Sequence, residues 1–527
     1  MLKRKVKTGN DFLMSNRSIP LWITSLAFIS ANLGAQEVLG MAANGAKYGL
    51  YTLHFYWLGA ALAMIFLGVY MMPFYYGSRA RSVPEYLRLR FDEKTRTFNA
   101  VTFATMTVFS SGVSLYALAM LMQAILGWDF DLSIGVAAAV VLIYTIMGGL
   151  TSAVYNEVLQ FFLIVLGIAP LIFLALNKVG GWEGIVHHVA QSKLHVWKGL
   201  GNASTNPMGV DAFSMVFGLG FVLAFGYWCT DFLVVQRAMI SKNLNDAQLT
   251  PIIAAIPKIF MPAVVILPGI LLLALQHQTG GFALPKSSDG TVNYNMVLPE
   301  MLKEFYPNGL LGVGITAMVA SFMSGMAGNV TAFNTVWTFD IYQAHINNKG
   351  SERHYLMVGK VTTIVGITLS IATAYVARSF NSIMDLLQLV FGFVNAPLFA
   401  TFFLGMFWKR TTGHGAFWGL LSGTVAAAIV HGLSVAEGKG GWIGTYHVFY
   451  STTGQAFTIA WIAFLVCALI TICISLLTRP IAEPLLQGLV YSLTERQQEQ
   501  KRNWYQNPFW LGGLVLSITI ILNIIFF

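Results

Sequence analysis

Charged residues are scarce in this sequence: Asp, Glu, Lys and Arg make up 10% of its 527 residues, whereas 56% are hydrophobic. The mean hydropathy is +0.66. A soluble domain needs far more charge on its surface, so most of the chain cannot be soluble. The alternating pattern of a membrane β-barrel is lacking, while apolar runs exceed roughly 18 residues. The sequence therefore predicts an all-α polytopic membrane protein.

Cysteine is also scarce, with three copies, Cys229, Cys467 and Cys473, all in apolar segments and without a pairing pattern. We interpret them as small core residues. A nucleophile–base pair and a cluster of metal-ligating side chains are lacking, so we predict that the protein is not an enzyme. The first 16 residues lack the short apolar core of a cleavable signal peptide.

Thirteen apolar stretches are long enough to cross a bilayer, which takes roughly 20 residues per helix. The longest polar gaps, 178–208, 277–306 and 479–506, are too short for a domain but can hold short helices. The predicted helices are 20–45, 51–75, 97–126, 131–148, 152–177, 209–236, 248–276, 307–344, 356–377, 383–408, 414–435, 455–478 and 507–527.

The net charge of +9 is unevenly distributed over the loops. With the N-terminus in the cytoplasm, 22 of the 31 Lys and Arg residues fall in inside segments and eight in outside loops. Cytoplasmic loops are typically the ones enriched in Lys and Arg. We therefore predict a multi-pass protein of the cell (inner) membrane, with the N-terminus cytoplasmic and the C-terminus outside. The lipid bilayer is its expected surrounding, and neither nucleic acid nor an obligatory protein partner is indicated.

Two of the predicted helices contain breaking or polar residues at mid-membrane depth. The first carries Asn, Gly, Gln and Glu within residues 30–37, and the sixth carries Gly218, Gly220 and Gly226 just before residues 227–231. Glycines alone also suit close helix packing. Ionisable groups beside them favour locally unwound helices that line a binding cavity. Because helices one and six are five apart, the pattern is typical of two inverted five-helix repeats.

A series of short motifs runs in order from about residue 11 to residue 425. They are Asn-Arg-Ser-Ile-Pro-Leu-Trp at 16–22, Arg-Ser-Val-Pro-Glu-Tyr-Leu-Arg-Leu-Arg-Phe at 81–91, Gly-Gly-Leu at 148–150 with Tyr155, Asn156, Glu157 and Gln160, Tyr-Trp-Cys-Thr-Asp at 227–231 with Val-Gln-Arg at 235–237, Phe-Asp-Ile-Tyr at 339–342, Phe-Trp-Lys-Arg at 407–410 and Gly-Ala-Phe-Trp-Gly at 415–419. Together they resemble the solute–sodium symporter family, and sodium–glucose cotransporters within it.

The resemblance implies a LeuT-type inverted repeat of five plus five helices with three extra C-terminal helices. It divides the chain into a cytoplasmic N-terminus at 1–19, a ten-helix transport core at 20–408 and three additional helices at 409–527. The two repeats of the core span about 20–177 and 209–408. Members usually carry an extra helix before this point. Its absence here agrees with the basic N-terminus.

The resemblance also implies a site for Na⁺, the expected coupling ion, which prefers carbonyl and hydroxyl oxygens. Its ligands would be the carbonyls of Ser30 and Leu33 and the hydroxyls of Ser321 and Ser324. The two serines are three residues apart and so share a helical face. Mid-helix serines commonly bond back to the preceding turn instead.

Three further positions qualify this sodium site. Gly325 stands where relatives typically carry another Ser, and the next hydroxyl position is Ala327, so we expect one Na⁺ per solute. Glu157 replaces a family Asp near the sodium and either attracts Na⁺, carries a proton or lies solvated at the cytoplasmic helix end.

Substrate contacts follow from the same resemblance. Lys258, within the seventh helix, and Gln388 match sugar-binding residues of sodium–glucose cotransporters. Lys258 either faces the bundle interior or snorkels to an interface. Asn32 and Glu37 match first-helix contacts, and Tyr227 matches an aromatic beneath the sugar. Trp57 and Trp228 complete the predicted contacts, and Met41, Tyr56 and Met384 are the predicted outer gate, with ordinary packing as the alternative.

The second helix departs from relatives that carry glucose or galactose, which place a Glu after an aromatic where this chain has Tyr56-Trp57. The main hypothesis is Na⁺-driven uptake of a small polar solute, a sugar, by alternating access. The alternatives are a carboxylate or amino acid, of the proline, pantothenate or sialic acid type, proton coupling, or a transporter-like membrane sensor.

Overall fold

Helices account for nearly all of the regular structure in a computed structural model of the chain. The structure describes residues 18–527 apart from 79, 81, 149, 280–281, 287–289, 495–502 and 504–505. The predicted cytoplasmic segment 1–19 therefore lies almost wholly outside the described residues. Each of the thirteen predicted helices has a counterpart, with bounds that differ by a few residues at most ends.

The thirteen helices are α1 (Leu21–Ser30, continued after a break by Gln36–Gly40 and Met41–Tyr48), α2 (Phe55–Gly77), α3 (Glu93–Leu126), α4 (Phe130–Gly148), α5 (Leu150–Val179), α6 (Ser214–Thr230 and Phe232–Met239), α7 (Leu244–Phe260 and Pro262–Gln278), α8 (Asn308–Ile346), α9 (Glu352–Arg378), α10 (Ile383–Phe407), α11 (Gly413–Leu433), α12 (Thr452–Leu477) and α13 (Pro508–Ile525). Short helices occupy the polar gaps at Gly181–His188, Val297–Phe305, Glu483–Leu486 and Tyr491–Leu493.

Three of these helices are broken or bent. In α1 the regular helix stops at Ser30 and resumes at Gln36, at the predicted polar cluster. In α6 the two halves are bent by 52° at Asp231, whose carboxylate accepts a hydrogen bond from the backbone N–H of Leu233 at 2.8 Å. The predicted glycine cluster of α6 is helical, so the break lies after it. The 42° bend of α7 was not predicted; it falls at Pro262, which lacks the N–H that a continuous helix needs.

The helices of the two halves of the core interleave. Helix α1 lies between α5 and α7, and α8 packs against α3 and α5. A Cβ on Gly269 of α7 would lie 2.2 Å from the Ala42 carbonyl of α1, and one on Gly45 of α1 would lie 2.4 Å from the Ile266 carbonyl. Small residues thus allow α1 and α7 to approach at backbone distance. Helices α11 and α12 pack on α10, while α13 packs on α2 and α7.

In the described residues, the sequence prediction missed the helix Val83–Arg90 between α2 and α3 and a small sheet between α11 and α12. Its strands are β1 (Ser434–Ala436), β2 (Lys439–Gly440) and β3 (His447–Phe449), in the order β2-β1-β3. β1 runs antiparallel to β2 and parallel to β3. The turn at Glu437 and Gly438 has positive φ at both residues, which suits a tight hairpin.

Candidate functional site

The break in α1 opens onto a cavity bounded by α1, α2, α6, α7 and α10. Its volume open to a water-sized sphere is about 50 Å³, room for a few water molecules. The lining residues are Asn32, Gln36, Glu37, Met41, Phe55, Tyr56, Ala60, Leu219, Leu223, Ala224, Tyr227, Trp228, Lys258, Met384, Gln388 and Phe391. Nearly all of the predicted solute and gate residues therefore surround one space.

Two of the lining residues form an ion pair. Lys258 Nζ of α7 lies 2.6 Å from Glu37 Oε1 of α1, and both side chains are at most 4% exposed. The ammonium also donates to Asn32 Oδ1 at 2.5 Å, while the Tyr56 hydroxyl donates to Glu37 Oε1 at 2.5 Å. Lys258 thus faces the bundle interior and does not snorkel. A charged pair removed from water in this way needs such added hydrogen bonds.

The cavity has a carboxylate, that of Glu37, although α2 does not supply one. Where relatives that carry glucose or galactose have an acidic residue on α2, this chain has Tyr56-Trp57. The Tyr56 hydroxyl instead donates a hydrogen bond to Glu37 of α1. The cavity therefore contains one carboxylate and one ammonium, and their formal charges cancel. The aromatic faces of Tyr56 and Trp228 lie 4.9 and 5.0 Å from Lys258 Nζ, which adds cation–π attraction.

Tyr227 lines the cavity and is held by hydrogen bonds to α1 and by a ring contact with α10. Its hydroxyl accepts hydrogen bonds from Asn32 Nδ2 at 2.8 Å and from Gln36 Nε2 at 3.1 Å. Its ring lies 5.3 Å from the ring of Phe391 on α10. The unwound segment of α1, the first half of α6 and α10 meet at this residue.

The predicted outer gate residues are all buried. Met41, Tyr56 and Met384 all line it. A Cβ on Gly40 would lie 3.3 Å from the Met384 side chain, so α1 and α10 are in close contact there. Gln388 Nε2 contacts the Met384 sulfur at 3.9 Å, a weak interaction that leaves the amide able to exchange partners.

Trp57 is the predicted contact that the structure places elsewhere. Its indole N–H donates to the Ile259 carbonyl at 3.1 Å, and its ring lies 5.5 Å from Phe526 after α13. Its neighbours Phe55 and Tyr56 line the cavity, whereas this hydrogen bond turns Trp57 toward α7. We correct the sequence prediction accordingly: Trp57 packs against α7 and the C-terminal end.

The predicted sodium ligands meet where α8 crosses the break in α1. The Ser321 hydroxyl donates to the Leu33 carbonyl at 2.5 Å. A Cβ on Gly34 would lie 3.1 Å from Gly325 Cα, so the two backbones touch. A Ser side chain at position 325 would press against α1, which is a packing reason for the Gly.

Two hydroxyls at this crossing, those of Ser30 and Ser324, are buried and have no hydrogen-bond partner among the described residues. Leaving buried hydroxyls unsatisfied costs free energy, and a small cation coordinated by oxygens would relieve that cost. The donor set is hard and uncharged, which suits Na⁺ cargo. The Ser30 carbonyl accepts from the Leu33 N–H at 2.9 Å and keeps a second lone pair.

The side chain of Glu157 is buried and not solvated. Its side chain is 4% exposed and lies 2.5 Å from Arg237 of α6, which is 1% exposed. A Cβ on Gly328 would lie 3.7 Å from the Arg237 guanidinium, so the pair adjoins α8 about one turn beyond Ser324. Of the three alternatives for Glu157, the solvated carboxylate at the helix end is wrong, because the side chain is buried and pairs with a buried arginine.

Sequence reasoning named no role for seven of the lining residues, Phe55, Ala60, Leu219, Leu223, Ala224, Gln36 and Phe391. Gln36 lies four residues after Asn32, a spacing that puts both on one face where the chain is helical. Phe391 lies three residues after Gln388. For Gln36 and Phe391, the helical spacing from a predicted contact residue could have indicated that they also face the cavity.

Comparison with known proteins identifies relatives of this architecture. A family model described as the sodium:solute symporter family matches residues 12–423. The chain is 31% identical to sodium/glucose cotransporter 4 of Danio rerio over 445 residues, which cover 80% of this chain and 67% of that protein. It is 27% identical to the sodium/glucose cotransporter of Vibrio parahaemolyticus over 430 residues, 79% of this chain and 78% of that protein.

A solved structure with the same fold is the substrate-bound outward-open state of a Na⁺-coupled sialic acid symporter. It aligns with a TM-score of 0.76 and 20% sequence identity, over 91% of this chain and 94% of the other. The likeness confirms the predicted LeuT-type fold.

Proposed function

The chain belongs to the sodium:solute symporter family, and from this premise we propose that it imports a neutral, hydroxyl-bearing solute, a sugar, together with Na⁺. Sodium-coupled symport through a multi-pass membrane protein is the property of the family. The sugar is the part that we infer. The single observation that carries it is the closed ion pair between Lys258 and Glu37 in the central cavity.

A cavity whose two charges neutralise each other favours a neutral ligand. An anionic solute would have to use Lys258 as its counter-charge, but Glu37 already occupies that position at 2.6 Å. Adding a second carboxylate there would leave one negative charge unpaired in a buried site. This argument ranks a sugar above the anions pantothenate and sialic acid, while proline, a zwitterion without net charge, is distinguished from a sugar by the ligand screen described below. It also accords with the names of the relatives, which are sodium/glucose cotransporters.

The same side chains offer the hydrogen bonds that sugar hydroxyls need. Gln388 supplies an amide, Lys258 an ammonium and Glu37 a carboxylate, and aromatic rings at Tyr56 and Tyr227 suit the C–H faces of a ring. The present volume of about 50 Å³ has to grow to admit a solute. Movement of Met41 and Met384 at the outer gate would provide the space.

Coupling follows from the shared use of the α1 break. Leu33 belongs to the proposed sodium site, and Asn32 and Glu37 belong to the solute cavity, within six residues of chain. Na⁺ that orders this segment also positions the solute contacts, and the linkage is reciprocal. We propose that residues 20–408 form the transport core, that 409–527 are additional helices, and that the protein has no catalytic activity.

Ser324→Ala tests the sodium site. Removing a hydroxyl that only the ion would satisfy should raise the Na⁺ concentration for half-maximal uptake by about tenfold, while solute affinity at saturating Na⁺ stays within about threefold. Na⁺-dependent uptake into proteoliposomes measures both. Thr316→Ala, whose exposed hydroxyl on the same helix already bonds to the Gly312 carbonyl, is the matched control. A sodium Hill coefficient near two, or equal uptake driven by protons alone, would contradict a single Na⁺ site.

Topology is the second test. We propose the cell (inner) membrane, with the N-terminus cytoplasmic and the C-terminus outside after thirteen crossings, because Lys and Arg concentrate in the inside loops. A C-terminal fusion to a reporter that is active only outside should give signal, and one active only inside should stay silent. The reverse pattern would refute the orientation.

A thermal-shift screen of the purified protein decides the substrate class. A ligand that binds only the folded state raises the melting temperature. We expect a Na⁺-dependent rise with one or more of D-glucose, D-galactose, D-mannose, D-xylose and myo-inositol, and none with proline, pantothenate or sialic acid. A rise with a carboxylate and with none of the sugars would overturn the proposal.

A further inference from the structure

One face of α10 continues from the central cavity toward the C-terminal end of the helix at Phe407. Gln388, Phe391, Asn395 and Phe402 follow one another at intervals of three, four and seven residues. These intervals place them on a common helical face. Gln388 and Phe391 line the cavity, and Asn395 lies about one turn beyond it, with 0% of its surface exposed.

Aromatic rings of other helices pack against this face at two positions along α10, which we call the two aromatic levels. At the cavity, the rings of Phe391 and Tyr227 lie 5.3 Å apart. Further along, Phe402 lies 5.6 Å from Tyr86 and 5.9 Å from Tyr75. A solute that leaves the cavity along α10 has to pass both levels. Asn395 is positioned between them along the helix.

The amide of Asn395 has no hydrogen-bond partner in the described part of the chain, at either its oxygen or its nitrogen. A primary amide offers two donors and an acceptor, and burying them unpaired is unfavourable. The neighbouring surface of α6 is glycine: a Cβ on Gly226 would lie 2.9 Å from the Asn395 carbonyl. The Thr230 hydroxyl, one turn further along α6, already donates to the Gly226 carbonyl at 2.5 Å.

We propose that Asn395 is a second solute-binding position, occupied after the solute passes Tyr227 and before it passes Phe402. An uncharged amide between two aromatic levels suits a neutral solute with several hydroxyl groups. The inference rests on the proposed function, because it requires that such a solute moves through the core. It assigns a role to a buried polar group that the central cavity does not use.

Asn395→Leu tests this position, because leucine has a similar size but no hydrogen-bonding groups. The probe is whichever of D-glucose, D-galactose, D-mannose, D-xylose and myo-inositol gives the wild type its largest Na⁺-dependent stabilisation. We expect the turnover of Na⁺-driven uptake to fall about tenfold, while the equilibrium Kd of the central site stays within about twofold. The melting temperature should be unchanged or higher, since an unpaired polar group has been removed.

Two further variants separate a transport role from a structural one. Asn395→Ser replaces the amide by a hydroxyl, which can still donate and accept a hydrogen bond, and should recover part of the turnover. Thr401→Val lies on the same helix, removes a hydroxyl that donates to the Pro397 carbonyl at 3.1 Å, and should leave turnover per folded molecule unchanged.

Three results would overturn the inference: unchanged turnover in Asn395→Leu, equal losses in turnover and in Kd, or a lower melting temperature. If the wild type binds and transports none of the five probes, the proposed function itself fails and the inference falls with it. Failure of the inference alone appears as a wild type that transports and an Asn395→Leu variant that transports equally well.

Discussion

Glu37→Ala is expected to weaken Na⁺-dependent solute binding by a hundredfold or more. The substitution removes the proposed carboxylate acceptor for solute hydroxyls and leaves the Lys258 ammonium without its partner, and losing charged hydrogen bonds in a buried site costs about 3 kcal/mol or more of binding free energy, roughly hundredfold or more in affinity. Equilibrium binding to the purified protein, with the sugar that stabilises the wild type, measures the loss. Glu304→Ala is the control, because it removes one partner of an exposed pair with Lys178 at 3.2 Å. Such pairs contribute little.

Glu37→Gln separates the charge of Glu37 from its hydrogen bonds. The amide keeps an acceptor for Lys258 and Tyr56, but the cavity acquires one net positive charge. We therefore expect weaker binding of the neutral sugar and a gain in relative affinity for its sugar acid, such as D-glucuronate beside D-glucose. An equal loss for both ligands would show that the pair does not set the preference for neutral solutes.

Glu157→Ala is expected to destabilise the folded protein by about 3–5 kcal/mol, because Arg237 would remain buried without a counter-charge. The melting temperature and the yield of monodisperse protein report this loss. Replacing both partners, Glu157→Met with Arg237→Met, should restore most of the stability, since neither charge is then left unpaired. Lys409→Ala, at an exposed pair with Glu483, is the control and should change little.

Sodium affinity in the same double variant decides between two interpretations of Glu157. A carboxylate already neutralised by Arg237 contributes little attraction for Na⁺, so we expect the half-saturating Na⁺ concentration to stay within about threefold. A loss of tenfold or more would mean that Glu157 attracts the ion from its place beside α8.

The sequence determined the class of protein and most of the helical order. Apolar runs of helix length specify the spans because a bilayer leaves no other partner for backbone N–H and carbonyl groups than the helix itself. The polar cluster in residues 30–37 likewise marked the break in α1, since such groups are costly on a lipid-facing helix. The bend of α7 could also have been predicted from the sequence, because Pro262 lacks the backbone N–H that a continuous helix needs.

Contacts between distant segments were decided by the tertiary structure alone. Lys258 and Glu37 are 221 residues apart, and their pairing could not be predicted from either helix by itself. Three further features also depend on the tertiary structure: the pairing of Glu157 with Arg237, the packing of Trp57 against α7 and the unpaired amide of Asn395. Helical spacing fixes which residues share a face, whereas the neighbour that each face meets depends on how thirteen helices pack. Electrostatic and hydrogen-bond energies depend on those neighbours, so the charge balance of the cavity became visible only in the assembled fold.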